Sequence, residues 1–524
     1  MRRDVILGEH LRAKSSDSPA ARVTLDDLFR RAVAQRADAL ALADPPDRPT
    51  FTDGAPRRLT FAEADRVISA IAARLRELGL PTDAIVALHL PNTVESVLML
   101  LGVLRAGMIA APLPLLWRQA DAATALGRIG ARALISCRRI GEVSFGELAM
   151  HIAAETFPIR FVGAFGDGLP DGVVPLDDVF DAAPATAVAP VARAGNPADH
   201  VAVVTFDVSP DGITPVARSH AELLAAGLAV ELEARAGPEA GILGALAVAS
   251  FAGIATTIVP WLLVGGTLSL HHPFDPDAFA VQRAGDLCSV AVVPGPLAQR
   301  LLAAGLLGGR QGPETVIAVW RAPERLSASA AWPGDGTALV DVPVFGEIGL
   351  IAMRRAGDRA AGLHLGRIMA AQGTAGATHV LDISRTPAGT IALAGPMVPR
   401  FPFPPGSERS DGPRLKPAED GSVDTGYACR IDRETKLLEV DGPPAGIVSV
   451  GGYRFVLREL QDLIGRIEDG STLAALPDVL AGHRLAGGGI DRDAIRQALI
   501  DQGASPLLVA AFSPRRPGQK ASAA

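Results

Sequence analysis

The segment AIVALHLPNTVESVLMLLGVLRAGMIAAP, residues 84–112, decides the fold class. It predicts a short apolar strand over residues 84–90, an apolar helix over residues 93–104 and a second strand over residues 109–112. Two buried strands that are joined through a helix run parallel in one sheet. The alternation continues through residues 120–136, so the sequence predicts an α/β fold with doubly wound sheets. In such sheets, ligands bind beyond the carboxyl ends of the strands.

Apolar periodicity extends outward on both sides of this segment. Helices are predicted over residues 25–34 and 62–80, and an alanine- and proline-rich linker over residues 182–196. Further buried strands are predicted over residues 201–205, 266–270, 289–293 and 316–319. Together these elements supply apolar material for one large core.

A change of texture at residues 401–421, which are rich in proline and charge, separates a small C-terminal module from the rest. We expect a large N-terminal domain over residues 1–435 and an α+β C-terminal domain over residues 436–524. The second domain is expected to be shortened, because no central strand is apparent between Leu460 and Asp491.

Composition excludes several classes of protein. The 524 residues are 48% hydrophobic with a formal charge of −7, so a disordered tail and a basic nucleic-acid binder are both excluded. The three cysteines have no metal-ligand spacing, which predicts a reduced, cytoplasmic protein. Residues 240–270 carry no charge, but glycine and proline interrupt them. They therefore predict a buried helix and strand and no membrane span.

Lysine is rare in this chain. Of the 50 basic residues, the lysines are Lys14, Lys416, Lys436 and Lys520, and the others are arginines. A mechanism that needs a reactive amine therefore has few candidates.

The stretch TFDVSPDGITPVARSH, residues 205–220, follows a predicted strand and precedes a predicted helix. Small and hydroxyl-bearing residues at such a position predict a loop that offers backbone N–H groups and hydroxyls to an anion. An ordinary surface loop is the alternative interpretation of the same residues.

Residues 59–115 resemble the adenylate-forming superfamily of acyl- and aryl-CoA synthetases, adenylation domains and luciferases, and further motifs follow in the family's order. Residues 205–220 occupy the place of its phosphate loop, and residues 319–323 that of the Gly-Ala-Pro segment at the adenine. The later counterparts are residues 345–347 for the aromatic-Gly-X-Thr-Glu motif, 424–426 for the ribose motif, 450–460 for the start of the C-terminal domain and 513–520 for its lysine loop. Residues 507–512 resemble the strand that precedes this loop.

The resemblance implies an acyl-CoA-synthetase-like ligase, which joins an apolar carboxylic acid to ATP as an acyl-adenylate and then transfers the acyl group to CoA. It implies nucleotide-binding roles for Thr205, Ser209, Gly212, Thr214, Arg321, Ala322, Pro323, Phe345, Gly346 and Asp424. It implies an acyl and thiol pocket at Ser250, Phe251, Gly253, Gly451 and Gly452, a Mg²⁺ ligand in Glu347 and a catalytic lysine in Lys520. An ordinary turn at Glu347 and a solvated basic tail at Lys520 remain the alternatives.

The sequence departs from the family's motifs at several positions. The phosphate loop has Asp207 and Pro210 where glycine or threonine is usual, and it contains no lysine. Tyr427 stands where the ribose-binding aspartate is expected, and residues 440–444 lack the hinge arginine and lysine. These losses favour a second hypothesis, in which a catalytically degenerate member binds a nucleotide, an acyl-CoA or a partner protein. Thioester chemistry on a preactivated acyl group, without ATP, is also left open.

The expected partner is a small-molecule carboxylic acid or acyl-CoA. The residues predicted to line the acid pocket, 250–253 and 344–346, are small or apolar and include no arginine or lysine. A fatty or alicyclic acid therefore suits the pocket better than an amino acid. Whether the chain forms a homodimer is left open.

Overall fold

The computed structural model describes residues 22–181, 188–189, 191, 193–308, 312–333, 336–372, 376–409 and 412–513. Lys14, Lys520 and part of the predicted linker lie outside the described residues. The catalytic role expected of Lys520 therefore stays a prediction.

The strands lie in four larger sheets and one two-stranded ribbon. In chain order they are Leu40–Ala43 (β1), Arg58–Thr60 (β2), Ile85–Leu88 (β3), Ile109–Pro112 (β4), Ala133–Cys137 (β5), Arg139–Ile140 (β6), Val143–Ser144 (β7), Phe161–Phe165 (β8), Val174–Pro175 (β9), Val201–Ser209 (β10), Gly212–Ser219 (β11), Gly241–Gly244 (β12), Leu268–Leu270 (β13), Cys288–Pro294 (β14), Thr315–Trp320 (β15), Ala338–Phe345 (β16), Gly349–Leu350 (β17), Met353–Arg354 (β18), Gly366–Gln372 (β19), Gly376–Arg385 (β20), Thr390–Ala394 (β21), Val423–Ile431 (β22), Leu438–Gly442 (β23), Ile447–Val450 (β24), Tyr453–Val456 (β25), Thr472–Asp478 (β26) and Gly482–Gly488 (β27).

Helices pack between and outside these sheets. In chain order they are Leu25–Arg36 (α1), Phe61–Glu77 (α2), Val94–Arg105 (α3), Gln119–Ile129 (α4), Phe145–Glu155 (α5), His220–Ala234 (α6), Phe251–Gly253 (α7), Val259–Val264 (α8), Pro276–Gly285 (α9), Gly295–Ala303 (α10), Leu457–Ile467 (α11), Arg492–Asp501 (α12) and Pro506–Ala510 (α13). Residues Ile254–Ile258 form a π-helical turn between α7 and α8. Hydroxyl residues begin several helices; Thr60 and Ser219, for example, each form a capping box at the start of α2 and α6.

The segment over residues 84–112 forms the β3–α3–β4 unit, as predicted. Its strands lie at the centre of a seven-stranded sheet with the order β11-β10-β4-β3-β5-β8-β9, and Val86 pairs in parallel with Ala110. Every residue of α3 is buried. Burial on all sides explains why most of this helix is apolar, and its two charged residues, Glu95 and Arg105, are paired with Arg48 and Asp26.

A nine-stranded sheet forms the second half of the large domain, with the order β17-β16-β15-β14-β12-β13-β1-β2 and β18 paired to β16. Strands β12 to β16 run parallel, so their carboxyl ends meet at one edge. The strands predicted over residues 266–270, 289–293 and 316–319 correspond to β13, β14 and β15. The mixed α/β fold with a large N-terminal sheet domain is thereby confirmed.

Two smaller sheets complete the molecule. A five-stranded antiparallel sheet has the order β19-β20-β21-β22-β23, and a four-stranded sheet has the order β25-β24-β27-β26. The four-stranded sheet and helices α11 to α13 surround a separate core, which includes Ile464, Leu485, Ile495 and Phe512. We call these residues, 447–513, the C-terminal module. The domain boundary expected at residue 436 stays a prediction.

Two expectations for the C-terminal module are wrong. The stretch between Leu460 and Asp491 contains two strands, β26 and β27, which pair along their whole length. Residues 507–512, which resemble a strand in sequence, belong mainly to the helix α13.

In the described part of the chain, no helix combines the length and the apolar character that crossing a membrane requires. The cytoplasmic location stays a prediction.

Candidate active site

A cavity of about 510 Å³ lies where the nine-stranded sheet, the seven-stranded sheet and the C-terminal module meet. Residues that follow β12, β14, β15 and β16 line it, among them Ala245, Pro296, Arg321 and Glu347. The cavity therefore opens at the carboxyl ends of parallel strands, where a ligand site is expected in a doubly wound fold.

Most of the cavity surface is apolar; we call this part the apolar wall, and its larger side chains are Trp117, Phe206, Leu246, Phe274, Leu297 and Trp320. Trp320 is held from behind, because its indole N–H donates to Asp341 Oδ1 over 2.9 Å. Asp341 in turn pairs with Arg355, and both side chains are almost fully buried. The ring of Trp320 packs on the backbone of Gly295, where a Cβ atom would lie 2.4 Å from the ring.

The other end of the cavity is polar and is lined by Asp207, Glu347, Arg321 and Arg454. We call these residues, together with Tyr427, which contacts Arg454 outside the lining, the charged end. Asp207 Oδ1 accepts from Arg454 Nη1, and its Oδ2 accepts from the backbone N–H of Glu347 over 3.0 Å. The other terminal nitrogen of Arg454 donates to the Tyr427 hydroxyl. Asp207 belongs to β10 and Arg454 to β25, so this cluster ties the module to the large domain.

Burial and neighbouring charges set the protonation of this cluster. Burial opposes the charge of Arg454, but Asp207 and Tyr427, with the hydrogen bonds they accept, together outweigh it and raise the pKa of the guanidinium. The pKa of Tyr427 is also raised, chiefly by burial, so its hydroxyl is neutral at physiological pH. Asp207 and Arg454 therefore form a charged pair beside a neutral phenol.

Glu347 lies in the same region but is fully engaged by protein groups. Its Oε2 accepts from the backbone N–H of Phe251 over 2.7 Å, and its Oε1 pairs with Arg321 Nη2 over 3.3 Å. Burial raises the pKa of Glu347, while Arg321 acts in the opposite direction. Arg218 supports the turn from beneath: it donates to the carbonyl oxygens of Glu347 and Ile348.

Arg218 is itself fully buried against an aromatic ring. Its guanidinium carbon lies 3.7 Å from the centroid of the Phe251 ring. Burial lowers the pKa of this guanidinium to about 10, which still leaves it charged at neutral pH. Arg218 thus adds a fixed positive charge behind Glu347.

The role of Glu347 as a Mg²⁺ ligand stays a prediction, and the observed donor set does not fit a cation. Both carboxylates of the charged end are already paired with arginines. Within the described ranges, no group of three or more His, Cys, Asp or Glu side chains could hold a metal ion. Mg²⁺ prefers several free oxygen ligands and water, which this arrangement does not offer.

The predicted phosphate loop is a β-hairpin, which corrects the expectation of an open loop. Strands β10 and β11 pair from Val201 to the turn, where Ser209 lies opposite Gly212. Ser209 Oγ and Thr214 Oγ1 lie 3.1 Å apart and bond to each other. In this antiparallel ladder, alternate residues direct their backbone N–H groups to the facing strand and not to a ligand.

The hairpin presents a different set of residues to the cavity from the expected one. Phe206, Asp207 and Val208 line the cavity, whereas the four predicted nucleotide-binding residues of this stretch do not; these are Thr205, Ser209, Gly212 and Thr214. Asp211 lies in the exposed turn and pairs with Lys416 over 2.8 Å. Each of the two hairpin aspartates therefore has its own cationic partner.

The remaining predicted residues divide into two groups. Those that line the cavity are Ser250, Arg321, Ala322, Gly346, Glu347, Gly451 and Gly452. Those outside its lining are Phe251, Gly253, Pro323, Phe345 and Asp424. Phe345 is buried edge-to-face on Tyr427, and Asp424 is an exposed residue that accepts from the N–H of Gly426. Their expected roles toward a ligand stay predictions.

The sequence analysis did not identify two arginines of the site: one belongs to the C-terminal module, and the other contacts it. Arg454 and Arg325 both line the cavity, and Arg325 donates to the carbonyls of Val479 and Leu480 in the module. A signal for Arg454 was available, since it is a single charge within the apolar stretch VSVGGYRFV, residues 448–456. A charge at a strand position of this kind needs a partner when buried.

A family model and individual relatives were found by comparison with known proteins, and they agree with one another. The family model described as AMP-binding enzyme matches residues 29–315, which is more than half of the chain. A stretch of 165 residues is 32% identical to long-chain fatty acid transport protein 1 of Bos taurus, covering 31% of this chain and 23% of that protein. A stretch of 179 residues is 30% identical to a salicyl-AMP ligase / salicyl-S-ArCP synthetase of Mycobacterium tuberculosis, covering 33% of this chain and 30% of that protein. The matches thus span under a third of these relatives' length.

Solved structures share the fold over nearly the whole chain. The amide bond synthetase McbA from Marinactinospora thermotolerans has a TM-score of 0.68 at 17% identity, covering 93% of this chain and 94% of its own. The ATP-bound MatB from Rhodopseudomonas palustris has a TM-score of 0.60 at 19% identity, covering 92% of each chain. At these identities the likeness establishes the fold.

Proposed function

Because the chain belongs to the family of AMP-binding enzymes, we propose that it is an acid–thiol ligase that acts on an apolar carboxylic acid. The observation that supports this best is the cavity of about 510 Å³ with an apolar wall and a charged end, at the carboxyl ends of parallel strands. Its volume falls in the range of small-molecule sites, and such sites combine apolar walls with a few polar groups.

The charged end favours an apolar acid over an amino acid. The carboxylates that line the cavity, Asp207 and Glu347, are paired with Arg454 and Arg321. The ammonium group of an amino acid would therefore find no free carboxylate among these lining residues. The carboxylate of an apolar acid, in contrast, meets a side chain that is 35% exposed, that of Arg321.

The proposed reaction has two steps. The acid carboxylate attacks the α-phosphate of ATP, and pyrophosphate leaves; the thiol of CoA then attacks the acyl carbon, and AMP leaves. Positive charge at the cavity comes from arginines, namely Arg321, Arg325 and Arg454. Positioned cations stabilise charge that develops in transfer reactions of this kind. The requirement for CoA, the use of Mg²⁺ and the role of Lys520 are parts of the proposal that need their own tests.

The direct test is ATP–pyrophosphate exchange that depends on an added carboxylate. Purified full-length protein is assayed with fatty, alicyclic and aromatic acids in the presence of Mg²⁺, and amino acids of similar size serve as controls. We expect exchange with apolar acids and little with amino acids. Absence of exchange across the acid panel, with protein that is folded by circular dichroism, would contradict the proposal. A Lys520→Ala variant with wild-type activity would remove that lysine from the reaction.

A second candidate function has its own observation. The closed β10–β11 hairpin and the Asp207–Arg454 pair leave no open loop for a triphosphate. They favour a catalytically degenerate member that binds an acyl-CoA, a nucleotide or a partner without turnover. Thermal-shift titrations with ATP, AMP, CoA and an acyl-CoA test this, because a ligand that binds only the native state raises the melting temperature. Stabilisation by acyl-CoA without exchange activity would favour this candidate.

A further inference from the structure

The pairing of Asp207 with Arg454 joins two parts of the chain at the point where a nucleotide's phosphates are expected. The side chains are only 12% and 10% exposed, respectively. Asp207 comes from the hairpin that replaces the phosphate loop, and Arg454 comes from the C-terminal module. The hairpin residues that line the cavity, 206–208, include no cation. The C-terminal module supplies one in Arg454, which is already bound to the Asp207 carboxylate.

Local backbone geometry favours this contact. Gly346 has a φ of +60°, and a Cβ atom there would lie 2.1 Å from Asp207 Oδ2 and 2.8 Å from Arg454 Nη1. The turn that carries Glu347 therefore passes directly against the ion pair. Only a residue without a side chain permits this approach.

Each arginine that lines the cavity has a protein acceptor. Arg321 pairs with Glu347, Arg325 with module carbonyls, and Arg454 with Asp207 and Tyr427. The hairpin hydroxyls of Ser209 and Thr214 bond to each other. A polyphosphate that approaches Arg454 must therefore compete with the Asp207 carboxylate, since ionised partners form the strong hydrogen bonds.

We propose that Asp207 is an internal competitor for anions at Arg454, and that this pair makes the cavity select against di- and triphosphate groups. A ligand with one anionic group, a carboxylate or a phosphate monoester, is favoured because it can engage Arg321 alone. The Arg321 side chain is 35% exposed, and its contact with Glu347 is a long one of 3.3 Å. The selection acts on binding alone, so it is measurable whether or not the chain activates an acid. If the chain is a ligase, the pair keeps its affinity for ATP low.

The test measures binding of inorganic pyrophosphate, ATP and AMP to the full chain by calorimetry. Asp207→Asn keeps the shape of the side chain and removes its charge. We expect it to tighten pyrophosphate and ATP about tenfold, which corresponds to one charge-assisted contact, and AMP much less. A purely structural role for Asp207 would weaken binding or leave it unchanged.

Asp211→Asn is the matched control, because it removes the same charge from the same hairpin outside the cavity. It should leave all three affinities within about twofold, since exposed charges are screened by solvent. The double variant Asp207→Asn/Arg454→Gln should lose the gain, because the freed donor is gone.

Two results would overturn the proposal. One is an Asp207→Asn variant, folded by circular dichroism, that binds pyrophosphate no more tightly than the wild type. The other is an equal gain in Asp211→Asn, which would indicate a general effect of net charge. If Asp207→Asn does not fold, Asp207→Ser provides the same comparison with a smaller side chain. Neither result depends on the exchange assay, so this selection and the proposed ligase activity fail separately.

Discussion

The apolar wall and the charged end of the cavity are built in different ways. The ends of neighbouring parallel strands supply much of the wall, including Trp320 and Pro294, and their sheet is part of the large domain's core. The charged end is assembled from a hairpin, a turn and a separate module, through Asp207, Glu347 and Arg454. The wall is therefore present whenever the large domain is folded, whereas the charged end requires the module to be docked.

The two ends of the cavity also differ in how closely they match the arrangement expected for this fold. An apolar pocket at strand ends is the expected ligand position of this fold. The residues at the position of the family's phosphate loop, in contrast, form a closed hairpin whose two aspartates pair with Arg454 and Lys416. Changes to the wall should thus act on the large domain, and changes at the charged end should act on docking and anion binding.

The largest expected effect is a loss of stability behind the apolar wall. Arg355→Met leaves Asp341 buried without its charged partner, and we expect the free energy of unfolding to fall by about 3–5 kcal/mol. Arg367→Met is the control, since its pair with Asp382 is 67% and 37% exposed and should contribute under about 1 kcal/mol. Urea unfolding measures both. Similar losses in the two variants would contradict the view that the buried Asp341–Arg355 pair stabilises the region behind Trp320.

A pH effect of nearly the same size is expected behind the cavity, at His220. Its Nδ1 accepts from the backbone N–H of Leu25 over 3.3 Å, and burial lowers its pKa to about 4 from an ordinary 6.5. The unfolded state therefore binds the extra proton first. The contribution of neutral His220 to the free energy of unfolding is fully present above pH 6.5. It should fall by roughly 3 kcal/mol as the pH drops to about 4.

Urea unfolding of His220→Asn tests this assignment, because the amide oxygen can accept the same hydrogen bond without titrating. The variant should show a flatter dependence of stability on pH between 6.5 and 4. An unchanged slope would assign the effect to other groups. The buried His89 and His272, whose pKa values are also lowered, would be examined next.

The third prediction concerns a substitution that disturbs only the charged end of the cavity. Gly346→Ala places a Cβ atom against Asp207 and Arg454, and we expect a loss of about 2–3 kcal/mol in stability and a separated pair. Limited proteolysis should then cut faster at the connection between β23 and β24, residues 443–446, because the module is no longer held. Gly127→Ala, in the last turn of α4 where a Cβ atom meets nothing within 4 Å, is the control and should stabilise slightly. Equal proteolysis of both variants would show that the pair does not hold the module.

The smallest effect is expected at Tyr427. Tyr427→Phe keeps the ring on Phe345 and removes the hydroxyl that accepts from Arg454, so we expect a loss of about 1–2 kcal/mol. Thermal unfolding together with the proteolysis assay measures it. A larger loss than in Gly346→Ala would mean that the phenol, and not Asp207, is the main anchor of the arginine.

The central units of the fold were predictable, and the reason is local. Residues 84–112 carry enough consecutive apolar residues to identify β3, α3 and β4 without knowledge of their neighbours. The strands over residues 472–488 were missed, because they contain Pro477 and several glycines and have little strand character of their own. They form because their alternate residues pack into the module core.

The candidate site was predictable only in part. Ser209-Pro210-Asp211-Gly212 contains a proline–aspartate–glycine turn between two strands, so the hairpin had a recognisable signal that the family resemblance obscured. Arg321, Gly346 and Glu347 were identified by position and do line the cavity. Their contacts were not predicted, because Arg321 pairs with Glu347 across 26 positions and the N–H of Glu347 donates to Asp207 across 140 positions.

By itself, the sequence determined the doubly wound fold, the apolar character of the cavity and the scarcity of lysine, because these depend on residue type and on short-range periodicity. Only the tertiary structure decided which charges meet. Asp207 and Arg454 are separated by 247 positions, and nothing local to either residue specifies the other. A buried charge requires a partner, but the path of the backbone selects it. Here the backbone brings Arg454 of the C-terminal module to the hairpin that stands at the position of the family's phosphate loop. Arg454 is already paired there with Asp207 of that hairpin.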